Sequence, residues 1–170
     1  MGKGGIGLVA HGDHNIATSI YSVQNTSNGQ QFGKGMPFSV SVNKDAQIIT
    51  LICWSEITVD HFMEYERRYW GGTEHEGFHH IVDLQLADLN IGLDEGLMLA
   101  THATPANLDA YSGAKSAIVV QDEDQQFLAL AYRDARHAMC NPSIREIGVF
   151  LDKEEARTWL EESETKYADS

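Results

Sequence analysis

Cysteine is scarce in this sequence. Its 170 residues include two cysteines, Cys53 and Cys140, which lie far apart in segments whose patterns indicate regular structure. Small disulfide-stabilised domains and thiolate zinc sites need more cysteines at shorter spacings, so neither is predicted. We predict that both thiols are reduced and buried, as is usual in a cytoplasmic protein.

Basic residues are also few. The chain has 12 Lys and Arg against 25 Asp and Glu, which gives a formal net charge of −13 at pH 7. A surface of this charge repels phosphate backbones and anionic membranes. The nearest candidate for a basic patch is the pair Arg67 and Arg68, which Glu64 and Glu66 flank. We therefore expect no nucleic-acid partner.

Long hydrophobic runs are absent as well. No apolar stretch approaches the roughly 20 residues that span a bilayer, and the first residues lack the apolar core of a signal peptide. We therefore predict no transmembrane segment and a cytoplasmic location. Hydrophobic residues still make up 42% of the chain, enough for one domain with an appendage at this length.

Glycine is unevenly distributed. Residues 1–35 contain eight of the fifteen glycines, together with many Ser, Asn and Gln. We predict a flexible extension here that could add one edge strand, and a frayed acidic tail over residues 164–170. The run Gly2–Gly7 resembles a phosphate-binding loop, but the Lys-Ser/Thr pair that such a loop needs is missing. No cofactor is predicted.

The rest of the chain, residues 36–163, alternates strand and helix patterns. Alternating or β-branched apolar runs predict five strands, at Phe38–Val42, Ile48–Trp54, His80–Leu84, Ala117–Val120 and Ile147–Leu151. Helical spacing predicts helices after Thr58, over Leu93–His102, after Asp122 and after Asp152. The order ββαβαβαβα predicts an α/β fold whose sheet is mixed and mainly parallel.

Three segments agree with this order and carry a family resemblance. They are Ile81-Val82-Asp83-Leu84, the run Gly113–Val120 (GAKSAIVV), and the closing stretch from Gly148-Val149-Phe150 to Trp159-Leu160. Together they resemble the SpoIIAA-like branch of the STAS superfamily. The resemblance implies the STAS fold over about three-quarters of the chain. Because the motifs serve packing and capping, they bear on fold more than on function.

The phosphorylation switch of anti-sigma-factor antagonists in that superfamily needs a Ser in the loop after the strand Asp, here Asp83. No Ser, Thr or Tyr occurs from Asp83 to Ala100, so the doubly charged phosphate on which that switch depends has no acceptor there. We predict a non-catalytic STAS-like binding or regulatory module. It would act through protein contacts or self-association, with Gln85–His102 as its surface.

A second hypothesis is binding of a small apolar ligand or lipid. SpoIIAA-like proteins resemble the lipid-transfer CRAL-TRIO domain in fold, which implies a ligand held between the sheet and movable helices. The candidate ligand-binding residues are apolar side chains near the predicted loop after Leu84 and on two helices: Leu86, Leu89, Ile91, Leu93, Leu97, Met98, Tyr65 and Tyr69. The alternative is that these residues simply cover the sheet.

Metal binding and catalysis rank lowest. His75, His79 and His80 cluster near two glutamates and could attract a divalent metal, but no metal-binding motif is present, so we predict surface-loop histidines and no metal site. Ser55 and Asp83 at predicted strand ends, with His102, are the remaining candidates for a hydrolase. No nucleophile elbow occurs, and we predict that the chain is not an enzyme.

Overall fold

The computed structural model describes residues 36–69, 73–102, 113–139 and 145–162. The predicted extension over residues 1–35, the acidic tail and Cys140 lie outside the described residues. Within the described ranges, no helix is long and apolar enough to cross a membrane.

Five strands form one mixed sheet in the order β1-β2-β3-β4-β5. Strand β1 pairs with β2 in an antiparallel hairpin, and every later pair is parallel. The antiparallel start needs only a tight turn, whereas each parallel pair needs a crossover helix. The strands are β1 Phe38–Asn43, β2 Ile48–Ile57, β3 His79–Leu89, β4 Ala114–Val119 and β5 Arg145–Phe150.

Four α-helices connect or follow these strands. They are α1 Val59–Tyr69, α2 Leu93–His102, α3 Glu123–Met139 and α4 Lys153–Glu161, with a short 3₁₀ helix at Thr73–His75 before β3. This order confirms the predicted ββαβαβαβα pattern and the mixed, mainly parallel sheet.

Side-chain caps fix the starts of the last two helices. Asp122 Oδ1 accepts a hydrogen bond from the Gln125 amide at 2.9 Å, and Asp152 Oδ1 accepts one from the Glu155 amide at 2.8 Å. Each cap satisfies one of the amides that a helix N-terminus leaves unpaired. Asp122 and Asp152 are two of the positions after which the sequence pattern predicts helices.

The sheet is covered differently on its two faces. Helix α4 packs its Ala156 and Leu160 against Ile81, Ala117 and Val119 on one face. On the opposite face, residues of α1 and α3 join the larger core, and α2 lies against both of those helices. Strand β4 is therefore buried on both sides. The larger layer leaves an internal space, described below.

The third strand is longer than predicted. Residues Gln85–Leu89, predicted as a loop, continue β3 to Leu89. A bulge shifts the pairing, so that Ile52 lies opposite Asp83 but Trp54 lies opposite Leu86. One extra β3 residue breaks the alternation of side chains. The prediction failed because it required an unbroken period of two.

The closing motif forms a compact contact beneath α4. The Phe150 and Trp159 rings lie 5.3 Å apart at 51°. Lys115 Nζ lies 4.2 Å from the Trp159 ring centroid and donates to the Trp159 carbonyl at 2.8 Å. A Cβ on Gly148 would lie 2.5 Å from the Phe150 ring. A glycine at position 148 therefore leaves room for the Phe150 ring to pack against Trp159.

Candidate functional site

A cavity of about 100 Å³ lies between the sheet and the three helices α1, α2 and α3. Its floor is made by side chains of β3, β4 and β5, and its roof by the three helices. Most of the lining is apolar, and it includes Phe62, Tyr65, Val82, Leu84, Leu89, Ile91, Leu99, Ile118, Leu128, Ala129, Tyr132 and Ile147. The polar lining residues are Glu66, Ser116 and Gln125.

Helical spacing explains how the roof residues meet. On α3, Gln125, Leu128, Ala129 and Tyr132 fall at positions i, i+3, i+4 and i+7, which share one face of a helix. On α1, the lining residues Phe62, Tyr65 and Glu66 follow the same spacing. Two amphipathic faces are thus directed at one space.

Small residues keep that space open. Gly96 of α2 lines the cavity, and a Cβ built at Gly96 would meet no atom within 4 Å. Ala129 and Ser116 line other parts of the wall. Larger side chains at these positions would have filled the gap, as core packing normally requires.

Two of the polar lining residues are engaged within the protein. Ser116 Oγ accepts a hydrogen bond from Arg145 Nη1 at 2.9 Å. The Gln125 side chain donates to the Ala87 carbonyl at 2.9 Å and accepts from the Gln121 amide at 3.0 Å. Both residues therefore hold the wall together, and the ends of the Gln125 amide are already used.

Glu66 is different, because it is a half-buried acidic residue in a mainly apolar lining. Burial raises its pKa from 4.5 to about 7, and the positive charge of Arg136 opposes that rise. Arg136 is itself buried and donates from Nη1 to the Ala100 carbonyl at 3.0 Å. The cavity wall thus includes one carboxyl group whose pKa is raised by burial.

A buried polar cluster supports one side of the cavity. The Tyr65 hydroxyl lies 2.7 Å from His80 Nδ1. Burial lowers the pKa of His80 well below 6.5, and the nearby charge of Arg145 lowers it further. Arg145 also donates from Nη2 to the Phe78 carbonyl at 3.1 Å. His80 is therefore a neutral structural residue at physiological pH.

Only some of the eight predicted ligand-binding residues line the cavity. Tyr65, Leu89 and Ile91 line the cavity. Tyr69 is buried behind it, with its ring 5.4 Å from that of Tyr65. The other four are exposed apolar side chains that do not line this cavity: Leu86 in β3 and Leu93, Leu97 and Met98 on α2. Trp70, on the same predicted helix as Tyr65, lies outside the described residues.

Several lining residues were not singled out by the sequence. Gly96 was missed because α2 is apolar on both sides, so its periodicity does not say which side faces the sheet. Glu66 did have a signal, because it follows Phe62 by four residues and so falls on the apolar stripe of α1. A carboxylate in that position is costly unless it has a function or a partner.

The prediction that His75, His79 and His80 lie in a surface loop is mostly wrong. His80 is fully buried within β3, His75 is buried, and Nδ1 of His79 accepts a hydrogen bond from the Lys115 amide at 2.9 Å. His80 already lay within the predicted strand, β3 begins one residue earlier at His79, and His75 ends the 3₁₀ helix before that strand. Among the described residues, no group of three or more His, Cys, Asp or Glu side chains is arranged to hold a metal ion.

The contacts and burial of the candidate catalytic residues do not form a catalytic arrangement among the described residues. Asp83 Oδ2 pairs with Lys153 Nζ at 2.5 Å, and Oδ1 accepts from the Gln85 amide at 3.2 Å. Ser55 is exposed in β2 with a φ of 63°. Cys53 is buried, as predicted, and burial and the charge of Asp83 raise its pKa to about 12. A thiol with that pKa is not a nucleophile at neutral pH.

One solved structure provides a comparison for the fold. The chain is similar to an uncharacterised protein of the DUF3478 family with a SpoIIAA-like fold from Shewanella loihica PV-4. The sequence identity is 17%, the TM-score is 0.45, and the match covers 72% of this chain and 91% of that one. No family model and no curated protein matches the chain. This similarity says nothing about ligand or activity.

Proposed function

We propose that this chain is a non-catalytic binding domain that holds a small apolar ligand between its sheet and helices α1, α2 and α3. The observation that carries the proposal is the cavity of about 100 Å³ with its mainly apolar lining. Apolar cavities of roughly 150 Å³ in proteins bind molecules the size of benzene. This cavity is smaller, so a short alkyl group would suit it better than a ring.

The composition of the wall supports ligand binding over a simple packing defect. Cores are normally packed to a density that leaves few such gaps. Here a glycine lies on the inner side of a helix, where a side chain would have room, and a glutamate faces the same space. Both choices reduce stability in an empty core, because glycine weakens a helix and a buried carboxyl is costly.

A titration with 1-hexanol tests this function. Burying about four methylene groups at ~0.8 kcal/mol each predicts a dissociation constant in the millimolar range. We expect saturable changes in amide chemical shifts at Leu89, Leu99 and Ala129, with residues beneath α4 such as Ala156 as the internal control. Shifts that do not saturate, or that are spread evenly over the surface, would contradict the proposal.

Protein contact is a second candidate function, and one observation favours it. Leu93, Leu97 and Met98 on α2 are 42%, 38% and 40% exposed, within the Gln85–His102 surface that the sequence indicates. Sedimentation of the chain over a range of concentrations tests self-association. We expect Leu97→Gln to weaken any dimer that forms through this surface. A dimer that Leu97→Gln leaves unchanged would exclude the surface.

A further inference from the structure

Glu66 gives the proposed ligand site a chemical preference. Glu66 is a half-buried residue of α1 and lines the cavity together with apolar residues such as Phe62 and Leu99. An ionised carboxylate in such surroundings gains strongly from a positive partner, because little water competes for it.

The other polar groups of the wall are less available to a ligand. Ser116 Oγ is bonded to Arg145, and both ends of the Gln125 amide have partners. The Tyr65 hydroxyl is bonded to His80 Nδ1. Among the described residues that line the cavity, Glu66 is the only one with a carboxyl group, so it is the acidic partner for a ligand that enters with one polar group.

Charge decides what that polar group should be. A ligand carboxylate would meet the like charge of Glu66 and the net charge of −13 of the whole chain. The positive charge of Arg136 also acts on Glu66, but Arg136 is not among the described residues that line the cavity, and its Nη1 donates to the Ala100 carbonyl. An ammonium group is attracted by both the local and the overall charge.

We propose that the site takes a small amphiphilic amine, with its alkyl portion in the cavity and its ammonium group paired with Glu66. This rests on the proposed function, since it requires that the cavity accept an apolar group. Burial raises the pKa of Glu66 to about 7 despite the positive charge of Arg136. An ammonium partner would favour its ionised form.

Three probes with one carbon chain test the preference: hexylamine, 1-hexanol and hexanoate, each titrated at pH 8 in 150 mM salt. Amide shifts of cavity residues report the binding, so that amine held by exposed carboxylates is not counted. In the native chain we expect hexylamine to bind about tenfold more tightly than 1-hexanol, the gain typical of a charge-assisted hydrogen bond. Hexanoate should bind most weakly.

Two variants assign the effect to Glu66. Glu66→Gln keeps the size of the side chain and removes its charge, so we expect the amine preference to disappear while 1-hexanol affinity stays within about twofold. Asp60→Asn removes the same charge from an exposed position of α1 and should behave like the native chain.

The outcomes separate the two proposals. If 1-hexanol binds in the cavity but hexylamine binds no more tightly, or if Glu66→Gln retains the preference, the amine inference is wrong and the ligand-binding function stands. Tighter binding of hexanoate would also overturn the inference. If none of the three probes shifts the cavity residues, both proposals fail.

Discussion

The Tyr65 hydroxyl lies 2.7 Å from Nδ1 of His80, and this buried hydrogen bond joins α1 to β3. It fixes the helix that carries Phe62 and Glu66 against β3, one of the three strands that supply the floor of the cavity. The wall of the candidate site is thus held by a polar contact as well as by packing.

Replacing Tyr65 with Phe should destabilise the chain. The change keeps the ring but removes the hydroxyl, which leaves the buried His80 nitrogen without that partner. We expect the free energy of unfolding to fall by about 1–3 kcal/mol, as measured by urea denaturation at pH 7.5. An unchanged unfolding midpoint would show that the contact has no net energetic value.

Glu66 should make stability depend on pH in a defined direction. Its pKa is raised from 4.5 to about 7 in the folded chain. Between those values the folded chain binds the proton more tightly than the unfolded chain, so the stability contributed by Glu66 is lost as pH rises from about 4.5 to 7. Glu66→Gln should therefore be more stable than the native chain by about 1–3 kcal/mol at pH 8 and by little at pH 4.5.

The difference between the two chains is the quantity to measure, because His80 acts in the opposite direction. Burial lowers the pKa of His80 below 6.5, so its contribution to stability is lost as pH falls below that value. Subtracting the unfolding free energy of the native chain from that of Glu66→Gln at each pH removes this contribution. A difference that does not change with pH would contradict the assignment to Glu66.

Two glycine-to-alanine substitutions should have opposite effects. At Gly148 the added Cβ would lie 2.5 Å from the Phe150 ring, and moving that ring weakens its contact with Trp159. We expect a loss of about 1–2 kcal/mol. At Gly96 the added Cβ meets nothing within 4 Å, and alanine favours the helix, so a gain of about 0.5–1 kcal/mol is expected. Thermal unfolding tests both expectations: the midpoint temperature should fall in Gly148→Ala and rise in Gly96→Ala. Midpoints that shift equally in the two variants would contradict this prediction.

The fold was largely predictable from local signals. The caps at Asp122 and Asp152 marked two helix starts, and apolar runs marked the five strands. The continuation of β3 from Gln85 to Leu89 could not be predicted from such local signals. Inward-facing Leu84 and Ala87 are three residues apart across the bulge, so the period that identifies a strand is interrupted where the strand continues.

The candidate site was only partly predictable. Tyr65, Leu89 and Ile91 were identified as apolar residues near the sheet, and they do line the cavity. The side of α2 that faces inward could not be read from the sequence, because Leu97 and Met98 are apolar but exposed, whereas the inner side contains Gly96. Sequence patterns indicate apolar faces, but a cavity depends on which small residues meet in three dimensions.

Filling the cavity is the most direct test of the central claim that it binds an apolar group. Gly96→Leu places an isobutyl group where the structure has open space, while Ala138→Leu adds the same kind of side chain at an exposed position of α3 as a control. We expect Gly96→Leu to remain folded and to bind 1-hexanol at least about tenfold more weakly than the native chain, with Ala138→Leu unchanged. A folded Gly96→Leu that binds 1-hexanol with native affinity would contradict the claim.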